Sequence, residues 1–313
     1  MNSRIPLLAG VAVAQLLLIL AFTFSGGSSG DEAATWLELD VSSIDEISID
    51  DRDNAATLEK VDGQWQIAQL NADTGKIDEL LGKLADIGGT WPVATSADSA
   101  SRFEVAEDNY QRKLVLKSQG DTVVEAFFGT SPGYQRVHAR TLDSSEIYSV
   151  PLSNYEIPSD LDGWLDKALL ATADTPARIA VRFTGQERLE VLERGDEGWL
   201  YNGNAANQEA AATYANRFGS LRILGAAADD EQAVLNELAT VELTLDDDSV
   251  ETLVLYRLGE DGDYLIAQED AAQRFRLATY LAEQVLMTDV DFKPVAEGPA
   301  EGSESVLEEV SEE

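Results

Sequence analysis

The chain has 313 residues, with 58 Asp or Glu against 22 Lys or Arg, one His and no Cys, for a formal net charge of -36. A surface this acidic repels phosphate backbones and excludes nucleic-acid binding. The lack of Cys excludes thiolate nucleophiles, disulfides and CxxC zinc sites, while 44% hydrophobic content suffices for packed cores in two domains of roughly 100–200 residues.

In chain order, the first element is the apolar run IPLLAGVAVAQLLLILAFTF, Ile5 to Phe24, whose only polar members are Gln15 and Thr23. Twenty helical residues rise about 30 Å, the thickness of the hydrocarbon layer, so a transmembrane helix is predicted. Arg4 precedes it and GGSSGDE follows, which by the positive-inside bias places the N-terminus in the cytoplasm and the bulk of the chain in the periplasm. A cleaved signal peptide is the competing reading. The apolar run exceeds the usual ~7–15 residues of such a leader and no clear A-x-A site follows, so a retained inner-membrane anchor is expected. Gly10 and Ala14 form a small-xxx-small pair and Gln15 sets an amide near mid-membrane, which makes these three the candidate contacts for a neighbouring helix. Such residues are also ordinary in membrane helices.

Residues 1–30 thus read as anchor and Gly/Ser linker, and 296–313, with seven Glu and no base, as a disordered acidic tail. Between them the pattern occurs twice. IDEISIDDRDNAATLEKVDGQWQI is followed by a helical stripe of Ile77, Leu80, Leu84 and Ile87. PARIAVRFTGQERLEVLERGDEGWLY is followed by Ala211, Tyr214, Phe218 and Leu221 at the same spacing, with Trp65 and Trp199 in matching places. Short alternating strands follow each helix, joined by turns too short for parallel crossovers. The expected fold is therefore α+β: a transmembrane helix, then two tandem antiparallel-sheet-plus-helix modules at 31–171 and 172–295.

Few motifs carry chemistry. Gly129-Thr130-Ser131-Pro132-Gly133 satisfies G-x-S-x-G, but a nucleophile elbow needs a helix after the serine. Here Pro-Gly and the alternating residues beyond predict a hairpin loop instead. In that returning segment Tyr134, Arg136, His138 and Arg140 are two apart and share one strand face, a cationic and aromatic stripe suited to a carboxylate, phosphate, glycan or acidic partner. The plainer alternative is that these groups pair with the chain's own carboxylates. The acidic clusters Asp50, Asp51, Asp53 and Asp246, Asp247, Asp248 fall at expected turns and lack the twelve-residue calcium-loop spacing. No catalytic residue, cofactor or metal site is predicted.

The anchor, the repeated unit of strand, LEK-x-DG-x-W and helix with spaced leucines at Leu58 to Leu84, and FGTSPGYQRVHAR from Phe128 to Arg140 leading to IYSVPL and Trp164-Leu165 resemble the bacterial domain-of-unknown-function 4340 family. The resemblance implies a single-pass envelope protein, often encoded beside a Gld-type ABC transporter, and no established catalytic residues. The expected function is a non-enzymatic accessory subunit contacting the permease and ATPase of such a transporter. A free-standing envelope module that binds cell-wall glycan or another anionic ligand is the alternative.

Seven of the 58 acids lie in the tail and one of the 22 bases, Arg4, precedes residue 31, which leaves 51 acids and 21 bases between Asp31 and Val295. The acidity therefore belongs to the body of the chain, and a cationic cluster there stands out.

Overall fold

The computed structural model describes residues 36–88, 91–228, 231, 235–259, 262–286 and 292. The predicted membrane segment Ile5 to Phe24, with Gly10, Ala14 and Gln15, lies outside them, as do the linker and the acidic tail. The chain divides into two compact units whose main boundary falls between Trp164 and Leu165.

An antiparallel meander comes first: β1 (Glu46–Asp50), β2 (Ala55–Val61) and β3 (Gln64–Ile67) of the first unit, then β4 (Leu70–Asn71), which is grouped with the second. The β2–β3 turn places Asp62 at φ 50° and Gly63 at φ 85°, the left-handed pair that matches the twist of a two-residue hairpin. Helix α1 (Thr74–Ala85) follows and buries Ile77, Leu80, Leu81 and Leu84. Helix α2 (Ala97–Arg102) starts at Ser96, whose side chain accepts from Ser99 N. It leads through the small pair β5 (Val105–Ala106) and β6 (Asn109–Tyr110) to β7 (Arg112–Ser118), β8 (Asp121–Phe128), β9 (Val137–Thr141) and β10 (Tyr148–Val150). The main sheet runs β10-β9-β8-β7-β1-β2-β3-β4.

Strand alternation explains the core. Ile47 stands opposite Leu58 on one side and Leu116 on the other, and Ile49 opposite Ala56 and Leu114. All six are at most 3% exposed. Residues two apart on a strand share a face, so the register stacks them into two apolar rows.

The second unit contains β11 (Arg178–Phe183), β12 (Leu189–Gly195), β13 (Gly198–Tyr201), β14 (Asn204–Ala205), helix α3 (Gln208–Gly219), β15 (Gly225–Ala226), β16 (Leu235–Thr244), β17 (Val250–Leu258), β18 (Tyr264–Gln268), β19 (Phe275–Leu277) and helix α4 (Thr279–Val285). Its sheet runs β14-β13-β12-β11-β16-β17-β18-β19-β15. In each unit the first long strand after the helix pairs beside the first strand of the opening meander, β7 on β1 and β16 on β11. The core rows here include one acid: Val181 stands opposite Val241 and Glu190, which is 7% exposed. Burial alone would raise the Glu190 pKa, but hydrogen bonds from Tyr201, Arg188 and Asn202 hold it below the ordinary value.

These observations correct the balance of sheet and helix in the expected α+β fold; the transmembrane helix expected at its head falls outside the described residues. The described residues are dominated by antiparallel sheet, with helices of only 12, 6, 12 and 7 residues. None of the described helices is long and apolar enough to cross a membrane. The physical reason is one of proportion. A 3.6-residue stripe is conspicuous in sequence, whereas strands of two to ten residues carry a weaker periodic signal yet jointly make most of the regular secondary structure among the described residues.

Candidate functional site

The predicted stripe divides at the start of β9. His138 and Arg140 lie within the strand and are each only 8% exposed. The His138 ring stacks on Phe103, the residue ending α2, with centroids 4.1 Å apart, and its Nδ1 is 2.9 Å from Thr130 Oγ1. Burial pushes the His138 pKa below its ordinary value, and the Arg102 guanidinium acts in the same direction against an opposing hydrogen bond to the Thr130 backbone. Arg140 donates to the carbonyls of Val105 (2.8 Å), Ser144 (3.1 Å) and Thr141 (3.3 Å), and its guanidinium lies 5.0 Å from the Phe127 ring centre. Both side chains are committed to packing α2 and β5 over this part of the sheet.

Tyr134 and Arg136 precede the strand in a turn, where Gln135 has φ 48° and Arg136 N donates to Gly133 O. Tyr134 is 89% exposed. Arg136 Nε donates to Ser149 Oγ at 2.8 Å and its Nη2 to Ser149 O. Among the described residues no carboxylate forms an ion pair with it. Ser131 Oγ sits 2.7 Å from both Gly133 O and Arg136 O, so the hydroxyl of the G-x-S-x-G match closes the loop. The His138 Nδ1 faces Thr130, not Ser131.

This loop packs tightly. A Cβ added at Gly129 would lie 2.0 Å from Phe103 O, and Thr130 N donates to the same carbonyl at 2.9 Å. The backbone contact needs glycine for space, and it fixes where the loop projects.

Tyr134 and Arg136 line a cleft of about 550 Å³ together with Gln111, Arg112, Ser153, Asn154 and Tyr155. Asn154 Nδ2 ties its floor, donating to Gln111 Oε1 (2.5 Å) and Gly129 O (3.0 Å). Arg112 is held by Ile157 O at 3.0 Å and lies 3.5 Å from Asp51. Tyr155 sits in the short turn Asn154–Glu156 and is 94% exposed. Glu156 fixes that turn, accepting from Ser153 N and pairing with Lys83 of α1 at 2.5 Å. Sequence reasoning missed Gln111, Arg112, Asn154 and Tyr155. They come from segments far apart in the chain, and no spacing rule links them. The arrangement offers two ring faces, guanidinium groups, amides and a hydroxyl, which is chemistry for binding.

The acidic clusters serve turns. Asp50 accepts from Arg52 N and Tyr110 Oη, Asp51 from Asp53 N and Asn54 N, and Asp247 from Ser249 N and Oγ. Among the described residues no three His, Cys, Asp or Glu side chains converge as for a metal ion.

A family model described as "Domain of unknown function (DUF4340)" matches residues 65–240, more than half of the chain, and the chain belongs to that family. No curated protein and no solved structure matches it.

Proposed function

We propose that this family member is a non-enzymatic accessory protein of the cell envelope, tethered in the inner membrane by Ile5 to Phe24 with its N-terminus cytoplasmic and its bulk periplasmic. It works beside the permease and ATPase of a Gld-type ABC transporter. Gly10, Ala14 and Gln15 face the permease helices, and the two sheet-based units, read as repeats of one another, lie outside the membrane. The observation that carries the reading is the cleft at Tyr134, Arg136 and Tyr155. An exposed aromatic and guanidinium surface in a chain of net charge -36 suits recognition of a partner or an anionic ligand. The test is affinity purification of the full chain from mildly solubilised membranes, with the copurifying proteins identified by mass spectrometry. ATPase and permease subunits are expected; their absence overturns the transporter assignment.

The charge of the cleft also favours the second reading, a free-standing envelope module that binds cell-wall glycan or another anionic ligand. A chain that purifies alone yet retains ligand through Arg136 supports it.

A further inference from the structure

We propose that the cleft beside β9 is a binding site for a saccharide that carries a carboxylate, with Arg136 taking the carboxylate and Tyr134 and Tyr155 packing on the sugar rings. This deepens the reading of the cleft as a recognition surface and rests on it.

Charge is the first argument. The cleft is lined by two arginines and no Asp or Glu, in a chain where acids outnumber bases by 58 to 22. Four other clefts of the described residues each contain at least one carboxylate: Glu283 in one, Glu59 in the next, Glu79 in the third and Asp108 in the fourth. The potential in the β9 cleft is therefore the one set to attract an anion. Arg112 is engaged by Ile157 O and Asp51. Arg136 is oriented by Ser149 through Nε and Nη2, and among the described residues its Nη1 makes no hydrogen bond. A guanidinium held on one side and open on the other is prepared for a carboxylate.

The remaining lining selects the rest of the ligand. Tyr134 and Tyr155 are 89% and 94% exposed, and neither stacks on another ring among the described residues. Each offers an open aromatic face with a polar tip, as carbohydrate rings with apolar C–H faces and peripheral hydroxyls require. Gln135 adds a side-chain amide that donates and accepts for hydroxyl groups, and Ser153, whose hydroxyl bonds to Glu156, can accept. An acidic peptide adding as a strand finds less. The carbonyls of Gly133 and Arg136 face Ser131 Oγ, and Arg136 N is bonded to Gly133 O, so no ladder stands open there. The cleft volume of about 550 Å³ falls within the range of small-ligand sites, about 300–1,000 Å³.

Isothermal titration of the full chain in mild detergent tests this, using trigalacturonate as the acidic sugar, maltotriose as the neutral one and hexaglutamate as the acidic peptide. Trigalacturonate is expected to bind, and maltotriose at least about tenfold more weakly, since the loss of a charge-assisted hydrogen bond costs that much. Arg136→Ala is expected to weaken trigalacturonate about tenfold and Arg136→Lys to restore only part of it. Because Arg136 also holds Ser149, Tyr155→Ala is the second variant. Tyr155 has no hydrogen-bond partner among the described residues, so its fold is retained while trigalacturonate binding weakens several-fold. No saturation at millimolar trigalacturonate, unchanged binding in both variants, or hexaglutamate binding as tightly each overturns the proposal. Transporter copurification is scored on the same variants. A cleft that loses its permease in Tyr155→Ala but never binds sugar refutes the saccharide while leaving the accessory reading intact.

Discussion

Replacing Gly129 by Ala tests how the cleft loop is positioned. The new Cβ would sit 2.0 Å from Phe103 O, 2.4 Å from Glu104 O and 2.7 Å from Glu104 C, all backbone atoms. Ordinary carbon contacts lie at about 3.5–4.0 Å, so the backbone at 103–104 must retreat by more than about 1 Å. That movement breaks the 2.9 Å bond from Thr130 N to Phe103 O and disturbs the Phe103 ring stacked on His138. Overpacking costs about 1–3 kcal/mol and a buried donor left without its partner about 1–3 kcal/mol. A destabilisation of roughly 3 kcal/mol is expected. Gly133, four residues on in the same loop, is the control: nothing lies within 4 Å of its added Cβ, and Gly133→Ala is expected to stay within about 0.5 kcal/mol of the parent. Urea unfolding of the full chain gives the difference, and amide exchange at Thr130 reports the local site, where Gly129→Ala alone should lose protection. A Gly129→Ala protein within about 1 kcal/mol of Gly133→Ala refutes the close-approach argument.

Three further outcomes follow from buried polar groups. Burial opposes ionisation of Asp51, yet hydrogen bonds from Ser159 and the turn amides hold its pKa at about 2 against 3.8 when unfolded. Its contribution of about 2 kcal/mol is therefore present above pH 4 and lost as pH falls toward 2, so urea unfolding of Asp51→Asn should differ from the parent at pH 6 and converge with it at pH 2. His138, the only histidine, should give a single ring-proton NMR titration below 6.5, with stability falling as pH drops below 6.5 because the unfolded chain takes the proton first; a midpoint at or above 6.5 contradicts its burial. Tyr214 is 2% exposed and donates its hydroxyl to Val285 O at 2.6 Å, so Tyr214→Phe orphans a buried carbonyl and should cost about 1–2 kcal/mol by thermal unfolding.

The helix stripes show how local signals carry over. Ile77, Leu80 and Leu84 are buried in α1, and Ala211, Tyr214 and Phe218 in α3, because helical periodicity records the side that meets a core. Asp62-Gly63 likewise announces its hairpin, since only such a pair accepts two successive left-handed residues cheaply. Antiparallel strands are expected from the sequence too, but the sheets outweigh the helices more than the stripes imply, with β16 and β17 running ten and nine residues. β9 also begins at Val137, three residues later than alternation from Tyr134 implied, because the turn at Gln135 interrupts the extended chain.

The sequence by itself determined the acidity of the body of the chain, the buried faces of its two longer helices, the tight turns, and the four residues around β9 that break the acidic background. Tertiary structure alone decided which of those four are free. Alternation tells which side chains share a strand face but not what covers that face. Here α2 and β5 cover His138 and Arg140, while Tyr134 and Arg136 stay open. The same limit hid Tyr155 and Asn154, which reach the cleft only because antiparallel pairing folds distant segments back onto β9. Neighbours made by strand pairing leave no mark in the spacing of residues along the chain.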